Sequence, residues 1–145
     1  MWTLAGGRSR DSGETLIELL ITIIIMAVAV PVIVGSVGVG IMMSDIHRKQ
    51  ATASAAVHAY AEQVEQWVAN GNYDASGTPN YSPAKTGYTA PTGYTASAGT
   101  VTCWSTSSQS FGSCGTDTGL QQVTLTVSSS DNAASEQLQL VIRQP

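Results

Sequence analysis

A carboxylate set among aliphatic side chains is the first group in this 145-residue chain whose chemistry needs an explanation. Glu18 follows Thr15-Leu16-Ile17 and precedes Leu19–Met43, an uncharged run interrupted only by Thr22, Pro31, Ser36 and three glycines. A charge at the centre of a membrane helix costs about 2.5–3.5 kcal/mol on insertion scales, and less near the interface. Glu18 either snorkels toward headgroups or pairs with a cation. Its own helix offers none, because no Lys or Arg lies between Arg10 and Arg48. Cys103 and Cys114 are the second constellation. Without a neighbouring His their spacing suits no metal site, and no Cys-x-x-Cys is present. A structural disulfide is expected, contributing about 3 kcal/mol in the chain-entropy model and placing that region outside the cytoplasm. His47 and His58 share a helix face but stand about 16 Å apart along the axis, too far for one metal ion. Asn72-x-Asp74-x-Ser76-Gly77 imitates the opening of a calcium loop, yet Pro83 occupies the twelfth position, where a bidentate Glu is required. No nucleophile elbow or phosphate-cradling Gly-Lys motif occurs, and no His follows His58. Neither enzyme activity, cofactor nor metal is expected.

The elements that carry these residues follow from composition and periodicity. Charged residues make up 11% of the chain, against about 25% in soluble domains, and the long aliphatics crowd between Leu16 and Met43. A net charge of −4 gives no footprint for phosphate, so no nucleic-acid partner is expected. Residues 1–13 form a polar leader with Arg8, Arg10 and Asp11. The run that follows, residues 14–43, exceeds the roughly 20 apolar residues that cross a bilayer as a helix. A cleaved secretory signal is the rival reading, with Leu16–Met26 as its apolar region and Ala27-Val28-Ala29 as its cleavage site. That cut would leave Val30–Met43 apolar with nothing to bury it. Over residues 44–70, Ile46, Ala53, Val57, Tyr60, Val64, Trp67 and Val68 mark one stripe of an amphipathic helix, and Gly71-Asn72 supplies its stop. With no turn signal between the segments, Thr15–Asn70 reads as one helix of roughly 84 Å, bent or loosened around Pro31–Gly40. Gly35, Gly38 and Gly40 permit close helix–helix contact or, with Pro31, lower helix stability.

Gly71–Gly99 reads as loop-like and contains a duplication, Thr86-Gly-Tyr-Thr-Ala90 and Thr92-Gly-Tyr-Thr-Ala96. Four of the five tyrosines fall here. They offer stacking surface for sugars or, the favoured reading, pack the loop onto the domain. Thr100–Thr106, Leu120–Val127 and Leu138–Arg143 are strand candidates, the last two a hairpin. Their apolar side needs the amphipathic helix as cover. The expected fold is α+β: a long N-terminal transmembrane and stem helix packed on a small antiparallel head, residues 71–145, stapled by one disulfide.

Gly13-Glu14-Thr15-Leu16-Ile17-Glu18-Leu19-Leu20 after a short charged leader resembles the class III signal of type IV pilins and type II secretion pseudopilins. The match lies in the Gly, the Glu five residues beyond it and the unbroken apolar stretch, and it covers about a quarter of the chain. The resemblance implies cleavage by a prepilin peptidase between Gly13 and Glu14, with Glu14 as the new and possible N-methylated terminus where the family usually has Phe. It also implies assembly through the apolar helix, with Thr15, Leu16, Ile17 and Glu18 at the junction. Glu18 would then pair with the free amino terminus of a cleaved neighbour and set the axial register. The expected partners are copies of the chain, other pilin-like subunits, the peptidase and, before assembly, membrane lipid. The expected location is the cytoplasmic membrane in a single pass, head outside, and then a surface pilus. A pseudopilin, a minor pilin and an anchored surface binding domain that never assembles are the alternatives. Arg48 and Lys49 either meet Glu62 and Glu65 of a staggered neighbour or sit beside lipid headgroups.

Overall fold

The computed structural model describes residues 11–145, with side chains from Leu16 onward. The first helix, α1, spans Asp11–Trp67, so the apolar run and the amphipathic stripe share one uninterrupted helix, as expected. It gives way to a wider turn, Val68–Asn72, in which Gly71 takes φ 85°. There Asn72 Nδ2 donates to the carbonyl of Trp67 at 3.1 Å and covers one of the open carbonyls of the last turn. The chain divides into two units between Met43 and Ser44.

In the first unit, Leu16–Met43 turns apolar side chains outward on every face. Leu16 is 71% exposed and Ile41 68%, and the most apolar window has a mean hydropathy of 2.8 with none of it buried. Helix continues through Pro31, Gly35, Gly38 and Gly40, although Pro31 has no N–H to offer the carbonyl of Ala27. The two hydroxyls in this stretch fold back onto the backbone. Thr22 Oγ1 donates to the Glu18 carbonyl and Ser36 Oγ to the Ile33 carbonyl, each at 2.7 Å. Both polar side chains are thereby satisfied without water.

The second unit, Ser44–Pro145, is a helix laid on a five-stranded sheet. The stripe read from the sequence is the buried one: Ala53, Tyr60 and Val64 are fully enclosed, and Val57 and Val68 nearly so. The strands are β1 (Tyr94–Ala98), β2 (Thr102–Ser105), β3 (Ser110–Gly112), β4 (Leu120–Ser129) and β5 (Ser135–Arg143). β4 is central. β5 pairs along one edge in an antiparallel hairpin, while β1 and β2 share the other edge end to end. β3 pairs outward from β2. The three strand candidates thus lie side by side in chain order, as β2, β4 and β5, and two further strands join them: β3 folds back on the outer side of β2, and β1 lies beside β4. Segment 71–99, loop-like for most of its length, holds β1 and a one-turn helix, α2 (Pro83–Thr86). Alternation sorts the two faces. Val123, Leu125, Val127, Leu140 and Ile142 point at the helix and are buried, whereas Gln122, Thr124, Thr126, Gln139 and Val141 point away.

Candidate functional site

The residues singled out by sequence fall in three places. Gly13, Glu14 and Thr15 lie within α1, but their side chains, like the whole of Met1–Arg10, are outside the described residues. Glu18, Leu16 and Ile17 are exposed at the start of the apolar segment. The Glu18 carboxylate makes no hydrogen bond or ion pair among the described residues; it lies beside Leu19, Thr22 and Ile23 in a shallow open groove. A single acidic group beside aliphatic ridges has no chemistry of its own here beyond attracting a cation. Pro31, Gly35, Gly38 and Gly40 follow within the same apolar helix. A Cβ added at any of the three glycines would meet no atom within 4 Å, so their smallness serves nothing inside this chain.

The head positions the stem segment through polar contacts as well as its core. Lys49 Nζ lies 2.8 Å from Asp45 and 2.6 Å from Asp131, which sits on the β4–β5 turn. The paired carboxylates raise the Lys49 ammonium above its usual range. Lys49, with hydrogen bonds from Ser129 and the Ala133 amide, holds Asp131 well below the usual carboxylate range. Lys49 is thus paired within its own unit, where the sequence reading offered either a staggered neighbour's Glu62 and Glu65 or lipid headgroups. The Thr-Gly-Tyr-Thr-Ala duplication has a structural meaning. In both copies the Gly takes a left-handed conformation, φ 75° at Gly87 and 82° at Gly93, a region that side chains with a Cβ avoid. In both copies the Tyr that follows reaches the stem: Tyr88 Oη donates to the Ala56 carbonyl at 2.8 Å and Tyr94 Oη to the Lys49 carbonyl at 3.3 Å. Those carbonyls are seven residues apart, two turns along one helix face.

A second network ties the 73–85 segment to the sheet. Tyr60 Oη donates to the Tyr81 carbonyl (2.6 Å), Tyr81 Oη to Gln121 Oε1 (2.8 Å), and Gln121 Nε2 to both the Asp74 carbonyl and Asp117 Oδ2 (2.8 and 2.9 Å). Tyr88 stacks on Tyr60 with centroids 4.6 Å apart. Burial pushes the hydroxyls of Tyr60, Tyr73, Tyr81 and Tyr88 up. Gln121 has no counterpart in the sequence reading. It was legible only as a polar residue, like Ser129, in phase with Val123, Leu125 and Val127. Asp74 organises its loop rather than calcium: it accepts from the Ser76 and Asn80 amides and from Lys85 Nζ at 3.2–3.3 Å. These bonds to Ser76 come first among the causes that lower its pKa to about 2. Among the described residues no group of three or more His, Cys, Asp or Glu side chains is placed to hold a metal. Cys103 and Cys114 form the disulfide, Cα–Cα 4.8 Å, both buried behind β2.

Residues 8–30 match the family model described as the prokaryotic N-terminal methylation motif. No curated protein and no solved structure gives a significant match to the chain. The matched stretch takes in Arg8, the Gly13–Glu14 junction, Glu18 and the first turns of the apolar helix. That motif indicates a structural subunit, and it implies processing by prepilin peptidase and assembly with pilin subunits in general. Motif and architecture agree: the chain carries the signature of type IV pilins and pseudopilins at the head of a long apolar helix, in an α+β, pilin-like fold.

Proposed function

We propose that the chain is a prepilin-like structural subunit, cut between Gly13 and Glu14 by prepilin peptidase and assembled through residues 14–43 into a type IV pilus-like filament. One observation carries the reading: a helix apolar on all faces begins within the methylation motif, and nothing among the described residues covers it. Burying apolar surface is worth roughly 25 cal/mol per Å², so such a helix rests in lipid or among copies of itself. In this scheme residues 1–13 are the leader, 44–70 the stem and 71–145 the head. The buried disulfide supports a head outside the cytoplasm.

Glu18 is assigned the register. In a bundle of these helices the α-amino group of a cleaved neighbour, N-methylated or not, is the nearest cation its surroundings can supply, and an axial slip leaves the carboxylate unpaired in an apolar medium. Pro31, Gly35, Gly38 and Gly40 are assigned to softening the helix and admitting close neighbours. The motif is shared with pseudopilins, so a pseudopilin of a type II secretion-like system, or a minor pilin, is the alternative within the same mechanism.

N-terminal sequencing of the chain from membranes and from sheared surface filaments tests the proposal. A start at Glu14 in both fractions is expected. A start at Met1 with the chain confined to the membrane overturns it in favour of an anchored binding domain. Glu18→Ala is expected to leave cleavage intact and abolish filaments; wild-type filament yield would refute the register role.

A further inference from the structure

The face of the sheet turned away from α1 is chemically unusual for a solvated surface. Antiparallel sheets guard exposed edges with Lys and other charges. Here, apart from Leu120, Val141 and Arg143, the outward residues of β4 and β5 are amides and hydroxyls, and Arg143 is the one formal charge among those that point away along the two strands. At one end the register sets Arg143 beside Leu120 and Trp104 beside Phe111. The Trp104 and Phe111 rings meet edge to face at 5.2 Å, and Val141 nearby is 50% exposed. The Trp104 indole N–H makes no hydrogen bond among the described residues. The amides lie in register across the strands: Val141 beside Gln122, which is beside Thr102, then Gln139 beside Thr124 and Gln137 beside Thr126. Side chains on one face recur about every 6.6 Å along a strand and about 4.8 Å across strands.

We infer that this face binds a neutral polysaccharide, an uncharged glucan whose sugar ring stacks on Trp104 while Gln122, Gln139 and Thr124 hydrogen-bond its hydroxyls. Charge selects the occupant. An anionic polymer or lipid surface meets a single cation, and an acidic or basic peptide meets no array of opposite charge. A pyranose chain matches what is displayed: an apolar ring face for an aromatic, and hydroxyls that both donate and accept for amides and threonines. The inference concerns the head alone and stands apart from filament assembly.

The test is affinity electrophoresis of the full chain in a zwitterionic detergent, through native gels containing hydroxyethylcellulose or glycogen, with alginate and dextran sulfate as anionic counterparts. Retardation by at least one neutral glucan and by neither anionic polymer is expected. Trp104→Ala should weaken it at least tenfold. Gln122→Glu and Gln139→Glu, outward-facing substitutions that leave the core untouched, should weaken it at least threefold at unchanged melting temperature, and they decide the matter if Trp104→Ala fails to fold. No retardation in either neutral gel, retardation by the anionic polymers alone, or neutral retardation unaffected by the Glu variants overturns the inference. A Trp104→Ala chain that loses self-association in sedimentation while keeping its retardation overturns it in favour of a copy-to-copy contact.

Discussion

Leu16–Met43 and Ser44–Trp67 are stretches of the same helix, and they solve opposite problems. The first is apolar on every face and buries none of its most apolar window within the chain. The second buries one stripe and leaves Glu62, Glu65 and His58 in water. Helix formation is common to both, so propensity is not what separates them. The arrangement of apolar side chains around the axis does: a full circle needs a solvent or neighbours that are themselves apolar, whereas a stripe needs a single covering surface. The stem has that surface in the sheet of its own chain, and Leu16–Met43 has it nowhere among the described residues.

Crossed substitutions break this contrast most sharply. Tyr60→Ala is expected to cost the head about 3–5 kcal/mol, as loss of a large buried aromatic does, while leaving membrane retention intact. Ile24→Lys is expected to do the reverse, with an insertion cost of about 2.5–3.5 kcal/mol and an unchanged melt. Near-UV circular dichroism of the head and membrane fractionation measure the two. If Ile24→Lys lowers the melting temperature as much as Tyr60→Ala, the halves are not energetically separate.

Reduction of Cys103–Cys114, or the double Ala variant, is expected to remove about 3 kcal/mol from the head alone, read by denaturant titration with membrane retention as the control. Tyr88→Phe removes the hydroxyl that caps the Ala56 carbonyl and should cost about 1 kcal/mol. It is the finer probe, because the stacked ring remains.

Acidity and alkalinity sharpen the comparison further, since the shifted groups belong to the second unit, Ser44–Pro145. Asp74 titrates near 2 in the fold, against about 3.9 in the unfolded chain. Its contribution is complete above pH 4 and is lost as pH falls toward 2. Asp74→Asn should flatten that part of the stability profile. Tyr60, Tyr81 and Tyr88, raised by burial, act oppositely: their contribution is whole below pH 10 and declines above it, when the unfolded chain ionises first. Melting temperature against pH reads both limbs.

The parts of this molecule that were legible in the sequence are those set by periodicity. The stripe from Ile46 to Val68 repeats at helical spacing, and Val123, Leu125 and Val127 alternate, so each announces its buried face. Cys103 and Cys114 left one pairing. The added strands were not legible. The candidates lie in chain order as β2, β4 and β5, but β3 is three residues of Ser, Phe and Gly, too short to show a period, and its hairpin on the outer side of β2 left no signal. The Lys49 contact was hidden for a different reason. Asp131 lies 82 residues away, and charge pairs carry no period to betray them. The assembly junction, by contrast, was readable as a motif, because Gly13 and Glu18 sit at fixed distances from the start of the apolar run, independent of how the rest folds.

The repeated Thr-Gly-Tyr-Thr-Ala unit leaves one lasting consequence. Its copies are offset by six positions in the chain and their tyrosines grip points seven positions apart on the helix, so the exposed segment through Ala90-Pro91 is pinned at both ends. The doubled unit thus gives the head a second fastening on the stem and ties down a stretch that few other contacts would hold.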